Sequence, residues 1–191
     1  TLVDRARPEN FPSENESLKK FGASLILFCF GMGDSLDGPE GLEDFAMNLD
    51  ALCEKYSSNN YNGSWPPRLV LISPTAIEAS TEGINVEYRN LVLEFYVNAI
   101  QAVAFERSIP YIDLFKPTLS LMSESGGSRL TSNGVVLNAY GYWVVGSLMV
   151  EALMRDEFYF ETTAKSADSG WSQPFGSELK GFQNIGGNYR W

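Results

Sequence analysis

Ser35 is the first residue to ask about chemistry. It stands in the string Gly33-Asp34-Ser35-Leu36, directly after the apolar run Ser24 to Phe30. A serine hydroxyl becomes a nucleophile only when a neighbouring base takes its proton. The chain contains no histidine, so a Ser-His pair cannot form within it. A Ser-Lys pair needs a buried lysine, and no Ser-x-x-Lys stands near this turn. The favoured reading is therefore a turn or helix-entry hydroxyl that bonds backbone amides, with Ser35 as nucleophile the alternative. Asp34, Asp37, Glu40, Glu43 and Asp44 gather around the same turn. Paired carboxylates can do acid-base work or hold a divalent cation. Acids are favoured at a helix N-terminus in any case, so a solvated helix start is the preferred reading. Asp113, near a strand end, is read as structural. Cys29 and Cys53 read as buried free thiols rather than a disulfide or metal pair. The chain has no phosphate-binding glycine loop, no CxxC and no basic stripe, so neither a cofactor nor a metal is expected. Asn15-Glu16-Ser17 and Asn62-Gly63-Ser64 are glycosylation tripeptides of a kind that often occurs by chance.

The elements that would position these residues follow from the apolar pattern. Ser24 to Phe30 reads as a strand buried on both faces. Gly31 to Ser35 is turn chemistry, and Pro39 opens a helix capped by Asp37 or Gly38. That helix carries one stripe, Leu42, Phe45, Ala46, Leu49, Leu52, Cys53 and Tyr56, at helical spacing. Before the strand, Ser13-Glu14-Asn15-Glu16 has capping-box spacing, so Ser13 to Lys20 reads either as a short helix or as an irregular lead-in. Ser57 to Pro67 is a loop, Arg68 to Ile72 a second buried strand, and Thr75 to Gly83 a polar loop. A long helix over 86–106 presents Leu91, Phe95, Ala99, Ala102 and Val103 on one face. A third strand covers 109–115, a short helix 119–125, a loop 130–138 and a last helix 139–158. Strands and helices alternate, which predicts an α/β fold with a parallel sheet and right-handed crossovers.

Composition bounds the function classes. The chain has 191 residues, 44% of them hydrophobic, which suits one domain with a real core. A net charge of −10 argues against nucleic acid or an anionic membrane surface as a partner. No apolar run reaches spanning length, which leaves peripheral association with a membrane complex open. The sequence begins at Thr1 and not Met, so it reads as processed, exported or organellar, or as a fragment; the compartment is not legible. After Thr162 the composition shifts. Residues 163–191 space glycines between aromatics, among them Trp171, Phe175, Phe182 and Trp191, and read as an extended arm that docks its rings on a surface. Disordered segments are usually poor in aromatics, which argues against a plain tail. The domains expected are thus 1–162 and 163–191.

The order of these pieces resembles the SGNH, or GDSL-type, hydrolases. Gly31-Met32-Gly33-Asp34 is similar to that family's third block, a strand ending in Gly-x-Asn-Asp. The segments GPEGLEDFAMNLDAL and PPRLVLISP have the look of the following helix and strand. Leu130 to Asn138, followed by Gly141-Tyr142, lies where the family carries its Asp-x-x-His block. The resemblance covers roughly residues 10–155 and is nearest in look to planctomycete-like secreted esterase domains.

The resemblance implies a flavodoxin-like parallel sheet with flanking helices, of which this chain holds the second half. It also implies where catalytic groups would stand. Gly33 takes the position of the Asn that helps form the oxyanion hole, Val136 that of the general-base His, and Asn133 that of the orienting Asp. Ser35 lies about a hundred residues before Asn133, which fits the third-to-last block distance rather than the nucleophile block. The family's nucleophile strand would precede Ser24, where nothing similar stands. The expectation is a non-catalytic structural or accessory subunit of a larger assembly, with other protein subunits as partners. The alternative is a serine esterase on an acyl or acetyl ester whose missing groups lie on another chain or an unseen segment.

Overall fold

The computed structural model of the protein describes residues 12–80, 85–124, 127–154, 183–185 and 188–190. It divides into two units, Thr1–Leu153 and Met154–Trp191. In the second, β4 (Gln183–Ile185) pairs antiparallel with β5 (Asn188–Arg190). Trp171, Phe175, Phe182 and Trp191 of the expected arm lie outside the described residues.

The first unit holds the α/β fold that the sequence predicts. Its elements are α1 (Glu14–Phe21), β1 (Leu25–Cys29), α2 (Leu42–Ser57), β2 (Arg68–Ile72), α3 (Val86–Glu106), β3 (Tyr111–Ile112), α4 (Phe115–Ser123) and α5 (Ala139–Leu153). The strands form one parallel sheet in the order β1-β2-β3. The capping-box spacing makes a true cap for α1. Ser13 Oγ accepts from the Glu16 amide at 3.2 Å, and the Glu16 carboxylate accepts from the Ser13 amide at 2.6 Å. Those bonds from Ser13 hold the Glu16 carboxyl below its ordinary pKa. Gly22, at φ 61°, ends the helix in the left-handed conformation.

Register fixes the two faces of the sheet. Ile26 pairs with Leu69 and Phe28 with Leu71, and these face a core shared with Phe45, Leu49, Leu52, Tyr56, Val92, Tyr96 and Ile100. The α2 stripe is the sequence-predicted one, with Phe45, Leu49, Leu52, Cys53 and Tyr56 buried. Leu27 pairs with Val70 and Cys29 with Ile72 on the other face. There Val70 and Ile72 are buried, while Leu25 is 43% and Leu27 40% exposed and Cys29 is exposed.

Several expectations are corrected. β1 is not buried on both faces: it is the edge of the described sheet, and Cys29 is an exposed free thiol while Cys53 is buried. An apolar run is buried only where other elements cover both faces of its strand, and here the face carrying Leu25, Leu27 and Cys29 lacks that cover among the described residues. The α3 face is also different. Val92, Leu93, Tyr96, Val97, Ile100, Val103 and Ala104 are buried, whereas Leu91 and Phe95 are exposed. Apolar residues run round most of this helix, so periodicity alone does not single out the buried side. Two 3₁₀ turns, Asp34–Asp37 and Pro39–Gly41, precede α2, and Gly41 rather than Asp37 or Gly38 holds its N-cap position, without a side-chain bond. β3 shrinks to Tyr111–Ile112 because Ser73 Oγ accepts from the Leu114 and Phe115 amides, at 2.8 and 3.0 Å, and α4 starts at once.

Candidate functional site

Gly33 and Ser35 lie in the loop after β1, and Asn133 and Val136 in the loop between α4 and α5. After β1, the 3₁₀ turn Asp34–Asp37 is closed by Asp34, whose carboxylate accepts from the Gly31 amide at 3.1 Å. Ser35 is 0% exposed, and its hydroxyl donates to the Met32 carbonyl at 2.8 Å. The sequence expects a bond to backbone amides here; the partner is a carbonyl. The Ser35 carbonyl in turn accepts from Arg89 of α3 at 3.3 Å, and the Gly38 carbonyl accepts from the Tyr96 hydroxyl at 2.7 Å. Gly33 has ordinary right-handed angles, φ −71° and ψ −37°, and brings no side-chain donor to the turn.

After β2, residues 73–80 have no regular structure, yet side chains satisfy their backbone. Thr118 Oγ1 accepts from the Ala76 amide at 2.9 Å. Asn90 clasps Ile77, accepting from its amide and donating to its carbonyl, each at 2.8 Å. This loop touches the β1 turn, because a Cβ on Gly31 would lie 3.6 Å from the Pro74 ring.

The loop 130–138 is held by the same segment. Glu78 is 7% exposed. Its carboxylate accepts from the Leu130 amide at 3.1 Å, the Thr131 amide at 2.9 Å and the Thr131 hydroxyl, and Arg129 Nε stands 3.6 Å away. Burial works against the Glu78 charge, but the bonds from Thr131 and Leu130 and the Arg129 charge outweigh it and lower its pKa. The Glu78 amide donates to the Gly134 carbonyl at 2.8 Å. Gly134 has φ 97°, and a Cβ there would stand 2.8 Å from the Glu78 carbonyl oxygen, so only glycine fits. At the loop tip, Asn133 Oδ1 accepts from the Val135 and Val136 amides at 3.1 and 2.8 Å, and the Val136 side chain is exposed. Asn138 starts α5 by accepting from the Gly141 amide at 2.8 Å.

The structure thus places Gly33 and Ser35 in one turn, Asn133 and Val136 in another, with residues 73–80 bridging them. Asp113 stands just before α4 and its carboxylate accepts from the Lys116 amide of the first turn at 3.1 Å. Among the described residues, no cluster of acids, cysteines or histidines suits a metal ion, and no helix is long and apolar enough to cross a membrane. Both glycosylation tripeptides take part in folding: Asn15 accepts from the Tyr61 hydroxyl at 2.8 Å, and Asn62 accepts from the Ser64 amide at 2.8 Å. A groove of 390 Å³ lies between α3, α4 and residues 77–79, lined by Ile77, Val86, Leu91, Phe115, Leu119 and Met122 among others, and none of Gly33, Ser35, Asn133 or Val136 lines it.

Glu78, Asn90 and Thr118 are absent from the sequence reading. Glu78 had one legible signal, a lone carboxylate among small and apolar residues in TAIEAS.

No family model matches the chain, and no curated protein matches it. Solved structures do. An acetyl xylan esterase, AlAXEase, superposes with a TM-score of 0.58 at 22% identity, over 74% of this chain and 72% of that one. A lipase/acylhydrolase from Enterococcus faecalis matches with a TM-score of 0.50 at 22% identity, over 72% of this chain and 64% of that one. The aryl esterase of M. smegmatis matches at 0.54 with 15% identity, over 73% and 64%. The chain therefore spans between 64% and 72% of the length of these structures. At such identities the likeness is one of fold, and the fold of this chain is the α/β fold of SGNH-type hydrolases.

Proposed function

We propose that this chain is part of a carboxyl-ester hydrolase of the SGNH type, acting on an acyl or acetyl ester. It supplies the framework of the site, and residues outside these 191 supply the nucleophile and base. The observation that carries the proposal is the row of loops 31–35, 73–80 and 130–138, the first lying close to the second and the third bonded to it, beside the carboxyl ends of β1 and β2, where α/β sheets hold ligands. Solved structures of this fold include acetylxylan and aryl esterases. Within the chain, Ser35 is buried and bonded to a carbonyl, and Val136 has no ionisable group. Within that type, the chain is nearest in look to planctomycete-like secreted esterase domains.

A second reading, a non-catalytic accessory subunit of an assembly, is favoured by Gly33 and Val136 at the positions the family gives to its oxyanion Asn and its base. One experiment separates the two. The complete reading frame, with any co-purifying chains, is assayed on p-nitrophenyl acetate and treated with a fluorophosphonate, and the labelled serine is mapped. The esterase reading expects turnover and one labelled serine outside the 191 residues. Neither turnover nor label in folded protein leaves the accessory reading, and a label on Ser35 overturns both.

A further inference from the structure

We propose that Glu78 is the positioning residue of the loop 130–138, the loop that faces the reaction in the reading above and on which this proposal rests for its functional consequence. The geometry is that of a latch. One carboxylate takes two successive amides, Leu130 and Thr131, together with the Thr131 hydroxyl, while the Glu78 amide ties down the Gly134 carbonyl. Thr131 Oγ1 also accepts from the Gly134 amide at 3.0 Å. Three residues of the loop, Leu130, Thr131 and Gly134, are thus tied, directly or through one hydroxyl, to a single residue on a neighbouring loop that is itself held by Asn90 and Thr118. Inside the loop, the Ser132 amide bonds the Val136 carbonyl at 2.9 Å and the Asn138 amide bonds the Leu130 carbonyl at 2.9 Å, so setting its base sets its tip.

The chemistry of the donors explains the choice of residue. Every group bonded to the Glu78 carboxylate is a donor, and only an ionised carboxylate accepts from all of them. A glutamine would turn an NH₂ toward at least one N–H, and a buried donor left without an acceptor is costly. Arg129 is the charged group that the described residues place against Glu78, and it is half exposed at the rim. The anchor therefore holds while Glu78 is ionised.

Hydrogen exchange, read amide by amide, tests this. Glu78→Gln should raise exchange at Leu130, Thr131 and Gly134 about tenfold or more while α3 amides such as Val97 keep their protection. Thr131→Val should raise it at the same amides by less. In the unmodified protein, protection of these amides should fall as pH is lowered through the Glu78 transition, and in Glu78→Gln that pH dependence should vanish. Equal loss of protection throughout the fold, or no change at the loop, would overturn the proposal. In the complete protein the same variant should lower kcat on p-nitrophenyl acetate with KM held. An unmodified protein without turnover sinks the esterase reading but leaves the exchange result to decide the latch.

Discussion

Ser35 shows how far a residue can be read from its neighbours in sequence. Without histidine, no proton acceptor of the usual kind stands in this chain for it, and the structure gives the hydroxyl a fixed structural partner, the Met32 carbonyl. Ser35→Ala should therefore lower stability by about 1 kcal/mol, the worth of one ordinary hydrogen bond, with no change in any esterase turnover. Thermal melting and an ester assay on the same preparation check both halves. The cysteines give a second prediction at this scale. Burial pushes the Cys53 thiol up to about 11, with Arg107 opposing the shift, so at pH 8 it is neutral as well as inaccessible. Burial raises Cys29 too, yet the residue is exposed. Ellman's reagent at pH 8 should consume one thiol of the folded, dissociated chain, more slowly than it does free cysteine, and a second only on unfolding. Two equally fast thiols would contradict the placement of Cys53. The sequence reading treats these cysteines alike because both sit in apolar surroundings along the chain. What separates them is which face of β1 has a cover, and that is a tertiary fact. Glu78 escaped for the same reason, since its donors lie more than fifty residues away.

At the scale of elements, pattern and capping carried most of what was legible. The α1 capping box, the α2 stripe and the β2 run each state their structure locally. The α3 face could not be read so, because Leu91, Val92, Leu93, Phe95, Tyr96 and Val97 wrap apolar surface round the helix and the partner decides which of it is buried. Helix α5 offers a test by opposite signs within one element. Gly141 lies against the Leu130 carbonyl, where a Cβ would stand 2.0 Å from the oxygen, so Gly141→Ala must push the helix off the loop. The cost should be about 1–3 kcal/mol, as for other overpacked sites. Gly146, one helical stretch later, has nothing within 4 Å of a Cβ. Gly146→Ala should raise stability by up to about 1 kcal/mol through helix propensity alone. Urea unfolding of both variants decides the point, and destabilisation by both would show that α5 packs otherwise.

For the whole molecule, the sequence reading of a parallel α/β sheet holds, and the place of β1 within it decides what the chain needs around it. The described sheet runs β1-β2-β3, so β1 offers one row of backbone donors and acceptors to whatever lies beyond. On the face where Val70 and Ile72 are covered, Leu25 and Leu27 remain exposed beside them. A flat apolar edge of this kind promotes pairing unless a charge or a proline interrupts it, and β1 contains neither. Helix α5 adds Tyr142, Trp143 and Val150 as exposed apolar groups. Covering even a few such side chains contributes several kcal/mol at about 25 cal/mol per Å², before the costs of ordering are subtracted. We therefore expect the chain to sediment as part of an assembly, with its own kind or with another subunit, rather than as a monomer. Leu27→Lys places a charge in the middle of the edge and should shift sedimentation toward the monomer while the circular dichroism of the sheet and helices is kept. Sedimentation velocity over a range of concentrations reads both. A compact, cooperatively melting monomer of the unmodified chain, with no partner retained through purification, would show that β1 is an ordinary sheet edge and that its apolar face stays in water.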